Sequence, residues 1–104
     1  MESRKRFLSM LGMAYKAGQV VTGEDTTRNA IRKNRVKLLI IAEDASDNTK
    51  KRFINSSVYY NVPYVICLTK IEMSRSLGQK IRSVAGIIDE GIAKYLMNLV
   101  ENCV

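Results

Sequence analysis

The sequence contains no histidine, which removes the commonest general base and any serine–histidine pair from a catalytic scheme. Its two cysteines, Cys67 and Cys103, supply neither a disulfide framework nor a metal-ligand set. Cys67 falls in an expected strand and Cys103 near the C-terminal end, so both read as reduced thiols. No glycine-rich loop of Walker or dinucleotide spacing occurs. No apolar run approaches the roughly 18 residues that a membrane span needs. Arg4-Lys5-Arg6 before Phe7-Leu8-Ser9-Met10-Leu11 imitates an export signal, but Gly12, Tyr15 and Lys16 interrupt it at once. The expectation is a cytoplasmic, non-enzymatic chain with no cofactor, no metal ion and no membrane partner.

What the chain does have is positive charge. Seventeen lysines and arginines against ten acidic residues give a formal net charge of +7, with an isoelectric point near 9.7. That balance favours a polyanionic partner, and nucleic acid fits it better than a membrane surface. With 46% hydrophobic and 26% charged residues, six glycines and one proline, the composition is that of a folded globular protein. At 104 residues it is expected to form a single domain, 1–104, with room for a real core.

Residues 3–17 carry a helical pattern, with Ser3 as cap, Phe7, Leu8, Leu11, Ala14 and Tyr15 recurring at helical spacing, and Gly18 as stop. Gly12 in its middle costs roughly 1 kcal/mol against alanine, which points to close packing on another element. Residues 19–22 read as a brief strand. Residues 22–33 read as a second helix with Thr22 and Asp25 at capping-box spacing, Ala30 and Ile31 inward, and Asn34 as a left-handed terminator. Residues 37–42, Lys-Leu-Leu-Ile-Ile-Ala, form the strongest strand, and their unbroken apolar run implies cover on both faces. Asp44 or Ser46 is expected to cap a third helix over 47–59, with Phe53, Ile54 and Val58 inward. Glu43 and Asp44 read as loop and cap residues, not as a metal pair. A turn at Asn61-Val62-Pro63, a strand over 64–68, a short helix near 72–77 ended by Gly78, a strand over 83–88 and a last helix capped by Asp89 complete the chain. Alternation of this kind predicts a three-layer α/β/α sandwich. Periodicity leaves the order of the four strands open.

The joint Val20-Val21-Thr22-Gly23-Glu24-Asp25-Thr26-Thr27-Arg28-Asn29 is the most informative segment. Two β-branched residues end at a glycine, and a helix starts at once, leaving its first N–H groups free to meet an anion. Arg28, Arg32 and Lys33 follow one to two turns along. Arg4-Lys5-Arg6 is a second candidate phosphate-reaching patch. Tyr59, Tyr60 and Tyr64 are minor candidates for stacking on unpaired bases.

Several segments read together resemble a known family. They are Met10 to Gly18, the Gly23 joint, Val36 to Ser46, Asn48-Thr49-Lys50-Lys51, Tyr60-Asn61-Val62-Pro63 and Asp89 to Ala93. The chain resembles, over nearly its whole length, the YlxQ-like bacterial proteins, part of the superfamily of archaeal and eukaryotic ribosomal proteins that bind RNA kink-turns. The resemblance implies a four-stranded mixed sheet between helices, and an RNA-binding edge. That edge joins a Gly-x-Asn-Glu-x-x-Lys motif opening the second helix to a loop before the last strand, here about residues 78–83. By position the motif falls on Gly23, Asp25, Thr26 and Asn29, and only the glycine matches. An ionised Asp25 accepts hydrogen bonds but donates none, and it repels phosphate. These departures lead away from an ordinary kink-turn and toward RNA contact through a similar edge.

The expected RNA-binding residues are Gly23, Glu24, Asp25, Thr26, Thr27, Arg28, Asn29, Arg32, Arg75, Lys80 and Arg82. Gly23, Arg28, Arg32, Lys80 and Arg82 are expected to converge on one edge. The implied partner is structured RNA, ribosomal RNA first, with no DNA specificity. The alternative is a small adaptor that binds a ribosomal, translation-factor or transcription protein.

Overall fold

The computed structural model describes residues 2–78 and 81–103. Five helices alternate with four strands: α1 (Glu2–Lys16), β1 (Val20–Thr22), α2 (Glu24–Arg32), β2 (Leu38–Ile41), α3 (Asp47–Tyr59), β3 (Tyr64–Ile66), α4 (Lys70–Leu77), β4 (Val84–Ile87) and α5 (Glu90–Cys103). The sheet runs β1-β4-β2-β3, with β4 antiparallel to both β1 and β2, and β3 parallel to β2. Helix α1 packs on α4 and α5, and α2 packs on α3, so the expected α/β/α sandwich with a mixed sheet is what forms. No helix among the described residues is long and apolar enough to cross a membrane.

The apolar run of β2 is the centre of the molecule. Leu38, Leu39, Ile40 and Ile41 are all fully buried, because β4 and β3 flank them and helices cover both faces. Each such side chain contributes about 1.5–3 kcal/mol relative to exposure. At the sheet's far edge β3 is short, and its Tyr64 and Ile66 are exposed. Gly12 has the packing role its position suggested. A Cβ there would lie 2.9 Å from the Ser76 carbonyl oxygen, so α1 and α4 cross at backbone contact, and the Ser76 hydroxyl donates to the Leu8 carbonyl there.

Helices α1, α2 and α3 end alike, each with a left-handed residue: Gly18 (φ 75°), Asn34 (φ 57°) and Asn61 (φ 57°). The next residue's N–H reaches back to the third carbonyl from the helix end, as in Gln19→Ala14, Arg35→Ala30 and Val62→Ser57, which closes a Schellman turn each time. Ser46 caps α3 by accepting from the Thr49 N–H at 3.2 Å. Asp44 instead caps α4 from across the fold, accepting from the Lys70 N–H at 2.8 Å.

Three expectations need correction. Val58 is exposed, and Ser57 takes the inward position, its hydroxyl satisfied by the Ile54 carbonyl at 2.8 Å. Helix α4 starts two residues earlier than expected, because Thr69 and Glu72 form a reciprocal capping box. Arg4 is no loose phosphate patch. Its Nε donates to the Glu72 carboxylate at 2.9 Å and its guanidinium lies 3.9 Å from Glu43, which ties α1 to the start of α4.

Candidate nucleic-acid interface

The joint between β1 and α2 differs from the expected capping box. Thr22 is held in the sheet opposite Ala85, and the helix is capped one residue later. Gly23 becomes the N-cap at φ 87° and ψ 154°, a region essentially reserved for glycine, and no side chain among the described residues caps the helix. Its own N–H donates to the Val84 carbonyl at 3.3 Å, and its carbonyl accepts from the Thr27 N–H at 3.0 Å. The glycine thus fixes the start of α2 against the start of β4. Among the described residues, the first-turn amides of α2 therefore have no side chain bonded to them.

Across this joint lies Arg82. A Cβ on Gly23 would sit 3.5 Å from Arg82 Nη1, so the guanidinium rests on the bare backbone of the turn. The Arg82 N–H in turn donates to Ser74 Oγ at 3.0 Å, which anchors the lead-in to β4 on helix α4. An open cleft of about 400 Å³ forms here, lined by Gly23, Glu24, Asp25, Arg28, Arg52, Ile81, Arg82 and Ser83.

The two acidic residues of the first turn do different things. Glu24 faces α3, where its carboxylate accepts from Arg52 Nη1 at 2.9 Å and from Thr49 Oγ1 at 3.3 Å. It is a clasp between α2 and α3. Asp25 points outward, with its side chain 93% exposed, and pairs with Arg28 Nη2 at 3.1 Å. Both also sit where the helix dipole favours negative charge.

Of the five residues expected to converge, Gly23, Arg28 and Arg82 meet at the cleft. Arg32 is exposed near the far end of α2 and does not line it. Lys80 lies outside the described residues. Thr26 and Asn29 are exposed on the outer face of α2. Two expected residues are misplaced. Thr27 is completely buried, because it shares the inward stripe of α2 with Ala30 and Ile31, so its hydroxyl faces no solvent. Arg75 lies in a different cleft, between α1 and α4 beside Gly12 and Lys16, since it is rotated one position from the Ser74 that faces Arg82. The tyrosines lie elsewhere too: Tyr59 and Tyr60 end α3, edge to face at 4.8 Å, and Tyr64 opens β3.

Two cleft residues escaped sequence reasoning. Arg52 sits in the Lys50-Lys51-Arg52 run, and its spacing of three from Thr49 puts both on the face that meets Glu24. Ile81, 64% exposed, offers an apolar surface on the wall beside Arg82.

The profile of the ribosomal protein L7Ae/L30e/S12e/Gadd45 family matches residues 5–97. Over 99 residues the chain is 38% identical to the RNA-binding protein YlxQ of Enterococcus faecium, covering 95% of each chain. It is 37% identical over 99 residues to the RNA-binding protein YlxQ of Bacillus subtilis (strain 168), covering 95% of this chain and 99% of that one. A solved structure of a Bacillus halodurans C protein with unknown function matches with a TM-score of 0.88 at 32% identity, covering 91% of this chain and 96% of that one. The Giardia lamblia 15.5kD RNA binding protein matches with a TM-score of 0.81 over 100% of this chain and 92% of that one, and at 21% identity it speaks to the fold alone. By these likenesses the chain belongs to the ribosomal protein L7Ae/L30e/S12e/Gadd45 family, among the YlxQ-like members.

Proposed function

We propose that this protein binds structured RNA, ribosomal or translation-associated, without catalysing a reaction, and does so at the cleft where α2 begins. The observation that carries the reading is the placement of Arg82 across Gly23. It brings a guanidinium from the β4 lead-in onto the first turn of α2, with Arg28 and Arg52 on the same cleft. Helix-start amides and guanidiniums together suit phosphate oxygens, and the exposed hydroxyl of Thr26 and amide of Asn29 suit 2′-hydroxyls or base edges. The names of the YlxQ relatives support RNA as the partner.

The test compares a hairpin carrying a kink-turn with a fully paired hairpin of equal length, from about 50 to 250 mM salt. Affinity is expected to fall steeply with salt for both. Asp25→Asn removes a charge that repels phosphate, releases Arg28 from its pair and restores a donor at the motif's amide position. It is expected to strengthen kink-turn binding more than duplex binding. Equal strengthening on both RNAs would reduce Asp25 to a charge effect. Absence of binding to either hairpin and to ribosomal RNA at low salt would end the RNA reading.

A further inference from the structure

Helix α2 has two ends of different electrostatic character. At its start the guanidiniums of Arg28 and Arg52 are each paired with a carboxylate, at 3.1 and 2.9 Å. At its far end the segment Arg32-Lys33-Asn34-Arg35-Val36-Lys37 holds four cations and no acid. All four are exposed, and none is ion-paired among the described residues. They amount to more than half of the chain's net +7. The strongest unneutralised charge on α2 is therefore not at the cleft.

The turn that carries these cations is built. Asn34 is left-handed, its N–H donates to the Ile31 carbonyl and that of Arg35 to the Ala30 carbonyl, both at 3.0 Å. Lys37 donates from its backbone to the Ile87 carbonyl at 2.6 Å, and Val36 is buried between them. Holding four like charges on a fixed turn costs folding free energy, a cost offset when a polyanion supplies the counter-charge. The only apolar side chain in the segment points inward, so it lacks the apolar anchor of a membrane-surface element. Nine residues of α2 at a helical rise separate the two ends by about 13 Å. A group seated on the first turn of α2 lies that far from the turn at its end, while a stem leaving the cleft along α2 passes beside it. Lys37 also borders a second cleft with Lys94 and Glu90.

We infer that the α2–β2 turn is a sequence-independent phosphate anchor, gripping the RNA stem that flanks the element held at the cleft. The inference rests on the RNA-binding reading above. The test replaces the four cations by glutamine (R32Q/K33Q/R35Q/K37Q), which keeps Asn34 and every backbone bond of the turn. On the kink-turn and fully paired hairpins alike, affinity near physiological salt is expected to drop about 10- to 100-fold, with the slope of log affinity against log salt reduced by about 3. The preference for one hairpin over the other stays unchanged. Shortening the flanking stem weakens wild type and leaves the variant indifferent. If the fourfold variant fails to fold, K33Q and K37Q singly should each lower the slope by about 0.7–0.9. Wild-type binding with an unchanged slope in the variants overturns this inference alone. A loss confined to the kink-turn hairpin also overturns it, by assigning the turn to recognition. So does cluster-dependent binding to phosphatidylserine-rich vesicles with RNA affinity intact. Failure of the wild type to bind either hairpin or ribosomal RNA at low salt overturns both readings.

Discussion

Gly23 shows how one residue sets the site. Its backbone angles, φ 87° and ψ 154°, are nearly closed to any residue with a Cβ, while the Cβ itself would find only ordinary contact with Arg82. The cost of substitution is therefore conformational and not steric. Gly23→Ala is expected to lower stability by about 1–3 kcal/mol, measured by urea unfolding, and to weaken RNA binding because α2 shifts against Arg82. An unchanged unfolding midpoint would show that the turn tolerates a Cβ. The glycine was legible in the sequence, since two β-branched residues precede it and a polar helix start follows. Thr27 was legible as well, because its spacing from Ala30 and Ile31 marks the inward stripe, yet its hydroxyl drew it into the expected site. Arg52 was not legible in this role. Nothing local says that α3 lies beside the start of α2, and only that adjacency brings Arg52 onto Glu24.

Among the elements, the join between α1 and α4 carries the clearest pH dependence. The Arg4 guanidinium, with help from the Thr69 N–H, holds the Glu72 carboxyl at about 2, down from an ordinary 4.5. A depressed carboxylate stabilises the fold fully above its unfolded value, and that contribution is lost as pH falls through the folded one. Stability is therefore expected to decline between pH 4.5 and about 2, and Glu72→Gln should flatten that decline when thermal unfolding is followed across it. An identical decline in the variant would assign the effect to other carboxylates. The Thr-x-x-Glu signature was present at Thr69 to Glu72 and marks the true start of α4, which apolar spacing alone placed two residues late. Helix ends at Gly18, Asn34 and Gly78 were readable because glycine and asparagine tolerate the left-handed turn. Strand order was not, since no periodicity records which strand β4 pairs with.

At the scale of the molecule, stability concentrates where the chain returns to itself. Strand β2 is paired on both sides and wholly buried, and β4 lies between β1 and β2. In native-state hydrogen exchange the amides of β2 and β4 are expected to exchange slowest, through global unfolding, and those of edge strand β3 to exchange sooner through local opening. Equal protection across β3 would contradict this ranking. The same topology leaves β3 as an open rim bearing Tyr64 and Ile66, with no charged side chain along it. Such a rim is a template for intermolecular strand growth. Here the template is three residues long, and Pro63 just before it offers no N–H to a neighbour. Mutual repulsion between copies carrying +7 each does the rest of the guarding. Concentrated salt, which screens that repulsion, is thus the condition under which colloidal association should start, and β3 is where it would start.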